Sequence, residues 1–240
     1  MSHSWMTLSQ VKQFLPQAKI VNAPSTEVVI NRFISDSRQV EQGDCFIAIR
    51  GEKFDAHDFL GDVVTAGASA ALISHKERCP TNLPAVCVRD VKQGLGELAK
   101  AWRAQFSIPV ALVTGSNGKT TVKEMIASIF KAAAGEDRTL VTRGNFNNDI
   151  GLPLTLLRMR SSDRLAVIEL GMNHPGETAE LALIAQANIA LINNAQREHQ
   201  EFMATVEAVA KEHATALSAL PADGVAVFPA DSEFSDLWYQ

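Results

Sequence analysis

The chain has 240 residues, of which 46% are apolar and 20% charged, with a net charge of -5. It is long enough to bury a core and lies between one domain and three, so two domains are expected. No basic block could track a nucleic-acid backbone, and no apolar run approaches the roughly 20 residues that span a bilayer, so neither nucleic acid nor membrane insertion is expected. The first residues, "MSHSWMTLSQVKQFL", do not join a basic start to an apolar stretch as a secretion signal does, so the protein is expected in the cytoplasm. Cys45, Cys79 and Cys87 form no C-x-x-C pair and read as small buried apolar residues in a reducing compartment.

In chain order, the first hundred residues mix short apolar runs with turn punctuation, as in "CFIAIRGEKFDAHDF" and "AVCVRDV". "VVTAGASAALIS" reads as a helix closed near Gly67 and then a strand from Ala70 to Ser74. In "VKQGLGELAKAWRAQF", Leu95, Leu98, Ala99 and Trp102 have the spacing of an amphipathic helix, and this helix is taken as the domain boundary. From Ile108 on, the rhythm becomes strand, loop, helix, repeated. "IPVALVT" is the near-continuous apolar run of a strand buried on both faces of a parallel sheet. Val122, Met125, Ile126, Ile129 and Phe130 mark one face of the helix that follows, and Gly135 closes it. Strands are expected again at "RTLVT", "LAVIELG", "IALINN" and "GVAVFP", a doubly wound α/β pattern, while "DSEFSDLWYQ" closes no recognisable element.

The segment "TGSNGKTT" stands between the strand "IPVALVT" and a helix, and is two residues shorter than the common G-x-x-x-x-G-K-[ST] loop. A glycine turn at that junction gathers backbone N–H groups and a positive helix end, which makes an anion site. Gly115 and Gly118 allow close approach to phosphate oxygens, Lys119 can reach the outer phosphates, and the Thr120 hydroxyl can ligate Mg²⁺. The competing reading is an ordinary Ser-Asn-Gly turn before a helix.

A metal-bound nucleotide needs further ligands from neighbouring strand ends, and Glu169 closes the apolar run "LAVIEL" just there. It could equally cap the next helix or contact Lys119. His199 follows the strand "IALINN" on the same side of the sheet and could serve a metal as a neutral imidazole, although a loop histidine alone is often a solvated bystander. Asn145, Asn147 and Asn148 of "GNFNNDIG" could contact phosphate or substrate, or could simply form a turn.

Taken together, "TGSNGKTT", "GNFNNDIGLPLTLL", "ELGMNHPGE" and "NNAQREHQEF" resemble the ATP-dependent Mur ligases of peptidoglycan synthesis. "ELGMNHPGE" and "GDCFIAIRGEKFDAHDF" look like the branch that adds D-alanyl-D-alanine to UDP-N-acetylmuramoyl-tripeptide. The resemblance implies an α/β fold in which an N-terminal UDP-sugar-binding domain, residues 1–106, precedes a P-loop ATPase domain with a mostly parallel doubly wound sheet, residues 107–240. It also implies a third, closing domain beyond this chain, which would make the chain a fragment of a monomeric enzyme.

By the same resemblance, Gly115, Ser116, Asn117, Gly118, Lys119, Thr120 and Thr121 bind the phosphates of ATP. Lys119, Glu169 and His199 are the catalytic set, with Thr120 and Glu169 on one Mg²⁺ and His199 on a second. Asn194 meets adenine, and Asn147 and Asn148 fall near the muramoyl-peptide. Ser37, Arg38, Arg50 and His57 are candidates for the uridine and its diphosphate. One position departs from the family: a lysine, carbamylated to bridge the metals, is replaced by His213. Lys211, two positions earlier and roughly 200° around the helix, would face elsewhere.

The implied reaction is amide formation through an acyl phosphate. The alternatives are another ligase of this class, such as the one adding the third amino acid or a folate polyglutamate synthase, a small-molecule kinase, and a non-catalytic UDP-sugar-binding fragment.

Overall fold

The computed structural model describes residues 6–25, 27–197 and 205–239. The chain divides into two compact units, residues 1–101 and 102–240. In the first, β1 (Met6–Thr7), α1 (Leu8–Phe14), β2 (Lys19–Val21), β3 (Val29–Ile30), β4 (Arg32–Ile34) and β5 (Asp44–Ile47) lead to α2 (Leu60–Thr65), β6 (Ala70–Ile73) and β7 (Ala85–Cys87). The helix α3 (Val91–Arg103) runs across the division. The second unit contains β8 (Val110–Thr114), α4 (Lys119–Ala134), β9 (Thr139–Val141), α5 (Gly151–Leu156), β10 (Leu165–Glu169), α6 (Glu177–Ala185), β11 (Ile189–Ile192), α7 (Val206–Ser218), β12 (Val225–Val227) and α8 (Ser235–Trp238).

The first unit is built on a sheet of order β2-β7-β6-β5-β4, in which β4 to β7 run parallel and β2 antiparallel to β7. β5 and β6 are buried at every position, as strands covered on both faces must be. Phe46, Leu60, Val63, Ile73 and Leu83 fill one side of it. Cys45 and Cys79 are buried and no disulfide links the three cysteines.

The second sheet has the order β12-β11-β8-β10-β9 and is parallel throughout. This is the doubly wound arrangement expected, with β8 at its centre and the chain crossing from one side of it to the other between β10 and β11. Register sets Glu169 beside Val113 and Ile192 beside Thr114, so the loops after β8, β10 and β11 leave the sheet at one level.

Two expectations are corrected. On α4 the sheet-facing residues are Val122, Ile126, Ala127 and Phe130, together with Lys123, whereas Met125 and Ile129 are 61% and 66% exposed. At about 100° per residue the small side chain of Ala127 and the stem of Lys123 rotate the buried face away from Met125 and Ile129. The last residues do form an element. In α8, Trp238 is buried, donates its indole N–H to Ala210 O at 3.1 Å, and packs against Phe228 and Phe234.

Candidate nucleotide and metal site

The turn after β8 demands its glycines. Gly115 has φ +129°, and a Cβ there would lie 3.0 Å from the backbone N of Asn193 and both N and O of Asn194. Gly118 has φ +74° and caps α4 without any side-chain hydrogen bond, so no side chain closes the positive end of this long helix. Lys119 lies across the loop, its Nζ donating to Gly115 O at 2.6 Å and Ser116 O at 3.1 Å. Thr120 and Thr121 are exposed on the opening turn of α4.

The loop is fastened to the chain leaving β11. Asn194 Oδ1 accepts from Asn117 N at 2.9 Å, its Nδ2 donates to Asn117 O at 3.0 Å, and its carbonyl accepts from Ser116 N at 3.1 Å. Asn193 Nδ2 also donates to Asn117 O, and Ser116 Oγ exchanges hydrogen bonds with Gln196 O and N. The structure therefore gives Asn194 a part in shaping the phosphate loop. Asn193 and Gln196 share that part, which nothing in the sequence marks except their position after a strand neighbouring β8.

Glu169, at the end of β10, is 1% exposed. Its backbone N–H donates to Thr142 Oγ1 at 2.9 Å, and its Oε1 accepts from Asn147 Nδ2 at 2.7 Å. Its Oε2 is buried without a hydrogen-bond partner among the described residues. A carboxylate oxygen so enclosed is costly unless something binds it, and a hard cation is the fitting partner for this oxygen and the exposed Thr120 hydroxyl. The donor set of Glu169 and Thr120 thus suits Mg²⁺.

The polar segment after β9 is drawn into the same site. Asn147 accepts Gly171 N–H on its carbonyl at 2.8 Å, and a Cβ on Gly171 would come within 2.9 Å of the Asn147 side chain. Asn148 Oδ1 accepts from Gly151 N, at the start of α5, at 2.9 Å and from Ile150 N at 3.3 Å. Both asparagines are thus engaged by protein groups in the residue roles just described.

The turn between β10 and α6 is stapled at both ends. Glu177 Oε2 accepts from Asn173 N and His174 N, and Glu212 of α7 accepts from Gly176 N at 2.9 Å and Thr178 N at 3.0 Å. Glu212 thereby occupies the amino end of α6. His213, next on α7, is 1% exposed with Nδ1 3.1 Å from Thr114 Oγ1, at the root of the phosphate loop. Lys211 points to solvent and pairs with Glu207 at 2.7 Å, in keeping with the helical spacing. His199 lies outside the described residues. Among the described residues no three His, Cys, Asp or Glu side chains cluster as a metal cage.

In the first unit, Ser37 and Arg38 follow β4 and Arg50 follows β5, all at the carboxyl ends of parallel strands where α/β sheets bind ligands. Asp36 holds the Arg38 guanidinium in a two-pronged pair at 2.9 and 2.8 Å, which keeps its carboxyl down at about 2. Arg50 bridges Asp55 through the backbone, closing a short turn whose tip presents Phe54, 75% exposed.

The structure gives His57 partners within the protein. The ring is 3% exposed, Nδ1 lies 2.6 Å from Asp55 Oδ1, and Nε2 accepts from Ser74 N at 3.0 Å. With both nitrogens taken by protein, it pins the turn to β6. Partial burial works against ionisation of Asp55, yet the His57 amide, the His57 ring and Arg78 together hold its carboxyl down at about 2.

Comparison with known proteins matches residues 113–240 to the Mur ligase middle domain and residues 30–111 to the Mur ligase family catalytic domain. The UDP-N-acetylmuramoyl-tripeptide--D-alanyl-D-alanine ligase of Haemophilus influenzae is 41% identical over 95% of this chain and 50% of its own length. The enzyme of that name from Escherichia coli is 39% identical over 95% of this chain and 48% of its own. Among solved structures, MurF from Acinetobacter baumannii superposes with a TM-score of 0.90 at 34% identity, covering 98% of this chain and 51% of that one. The MurF ligase of Thermotoga maritima in complex with ADP gives 0.77 at 30% identity, covering 87% and 48%. The chain spans about half the length of the curated relatives it matches.

Proposed function

The chain belongs to the Mur ligase family, and from that premise we propose that it serves an ATP-dependent ligase that joins D-alanyl-D-alanine to UDP-N-acetylmuramoyl-tripeptide in the cytoplasm. The observation that carries this reading is the pairing of an open phosphate loop on β8 with a buried, half-satisfied Glu169 on the adjoining strand β10. That pairing suits Mg²⁺-bound ATP, and the names of the relatives supply the acceptor and the amine.

The chemistry follows from the weakness of a carboxylate as an electrophile. A tripeptide carboxylate oxygen attacks the γ-phosphorus of ATP and ADP leaves, giving an acyl phosphate. The free amine of D-alanyl-D-alanine then attacks the acyl carbon, loses a proton, and expels phosphate as the C–N bond forms. Lys119 and the first-turn amides of α4 stabilise charge on the transferring phosphoryl group, and Gly115 and Gly118 allow the loop to approach it. Mg²⁺, held by Thr120 and Glu169, would neutralise phosphate charge. The loop clamp from Asn193, Asn194 and Gln196 fixes the donors before substrate arrives, so little reorganisation remains.

Ser37, Arg38 and Arg50 are proposed to meet the uridine diphosphate, with Phe54 exposed on the turn that the Arg50–Asp55 bridge closes. Calorimetric titration of the chain with Mg²⁺-ADP and, separately, with UDP-N-acetylmuramoyl-tripeptide tests the reading. Saturable binding of both supports it, and a folded chain that binds neither refutes it.

A further inference from the structure

One charged side chain sits in an apolar layer where no charge belongs. Lys123 projects from α4 toward the sheet between Val122, Ile126 and Ala127 and is fully buried, with 0% exposure. Moving an ammonium out of water costs several kcal/mol, and a well-packed apolar residue serves stability as well or better, so a lysine kept there needs a purpose other than packing. Its Nζ donates to Thr142 O at 3.0 Å and to the half-exposed carboxylate of Glu124.

The carbonyl it grips belongs to a residue that holds Glu169. Thr142 follows β9, is 1% exposed, and accepts the Glu169 backbone N–H on its hydroxyl at 2.9 Å. On the other side Asn147 fixes Oε1 at 2.7 Å, and Oε2 alone is left over. The carboxylate is therefore held from its backbone and from one oxygen, and the backbone hold is anchored on a buried cation.

We propose that Lys123 is a positioning residue for the Glu169 carboxylate: through Thr142 it fixes the strand end from which Oε2 faces a divalent cation carried on the nucleotide phosphates. The inference rests on the nucleotide reading above. It goes further by assigning a role to a residue that touches neither phosphate nor metal. An ammonium suits the task because a charge-assisted bond to a carbonyl is stronger than a neutral one.

The test is calorimetric titration of the chain with ADP, once in EDTA and once in excess MgCl₂. The wild-type chain binds ADP under both conditions and more tightly with Mg²⁺. Lys123→Met is expected to lower affinity in MgCl₂ about tenfold while leaving affinity in EDTA unchanged, since partners standing behind a metal ligand are typically worth about 10- to 100-fold in metal affinity. Lys123→Arg is expected to recover part of the loss. A folded Lys123→Met chain with wild-type affinity in MgCl₂, or with equal losses in both titrations, overturns the proposal, the second outcome being that of a merely structural residue. If circular dichroism shows Lys123→Met unfolded, Thr142→Val removes the intermediate hydroxyl with little change of shape, and the same two outcomes decide. A folded wild-type chain that binds no ADP overturns the nucleotide reading, and this inference with it.

Discussion

Asn147 donates its side-chain amide to Glu169 Oε1 at 2.7 Å, while the other oxygen of that carboxylate is buried with no hydrogen-bond partner among the described residues. The pair joins the segment after β9 to the end of β10 and turns a flexible carboxylate into a fixed, single-oxygen donor. Replacement of Asn147 by Ala releases that oxygen. Mg²⁺-ADP affinity is expected to fall about 10- to 100-fold, as for other groups that orient metal ligands, while ADP binding in EDTA is retained. Calorimetry on Asn147→Ala with and without Mg²⁺ checks this, and an unchanged Mg²⁺ response contradicts it.

Lys119 is the one loop side chain assigned to the transferred phosphoryl group. A hydrogen bond from a charged donor is worth about 1.5–3 kcal/mol, or roughly 10- to 100-fold in affinity. Lys119→Ala should weaken binding of a non-hydrolysable ATP analogue, which carries that group, by about that factor whether or not Mg²⁺ is present, and should leave the circular dichroism spectrum unchanged. Affinity within twofold of wild type would remove Lys119 from the site.

Gly115 is held by space as well as by conformation. A methyl group there would sit 3.0 Å from three backbone atoms of Asn193 and Asn194, at a φ of +129° that side-chain-bearing residues rarely adopt. Gly115→Ala is expected to cost about 1–3 kcal/mol from backbone strain alone. Urea unfolding of the second unit, followed by Trp102 and Trp238 fluorescence in a chain with Trp5 replaced by Phe, should show that loss together with weakened ADP binding.

In the first unit, Asp55 has a folded-state pKa of about 2, below its ordinary 3.8. The stabilisation it supplies is complete above pH 3.8 and is lost as pH falls from about 4 to about 2. Asp55→Asn should therefore lower the unfolding midpoint at pH 7 and leave a shallower decline between pH 4 and 2. A decline as steep as that of wild type would mean that other carboxylates govern the acid limb.

Much of the second unit could be read from the sequence, because its central strands carry continuous apolar runs and because strand, Gly-Lys-Thr turn and helix occur in fixed order. Glu169 could be found as a charge at the end of such a run. Lys123 could not. In a helical pattern it is one polar residue among apolar neighbours, and only the carbonyl of Thr142, brought near by the parallel pairing of β9 with β10, explains why it turns inward. The face of α4 differs from the sequence pattern for the same reason: a sequence period marks apolar residues, but the sheet selects which of them it covers, and Met125 and Ile129 lie outside it. The part played by Asn194 was hidden because side-chain to backbone bonds between two loops depend on strands that lie side by side in space yet far apart in sequence. His57 is a candidate only through the resemblance, since no spacing sets it apart, and its bonds to Asp55 and Ser74 join residues that the sequence does not link.

The carboxylate of Glu212 occupies the amino end of α6, and the next residue of the same helix, His213, touches the last residue of β8. Of the two strand-to-helix junctions concerned, one is already neutralised by the protein's own negative charge, and the other, at α4, is left to attract phosphate. Adjacent residues of one helix therefore hold both junctions. α7 is thus the common support of a helix end closed by the protein's own charge and of the strand end from which the open loop departs.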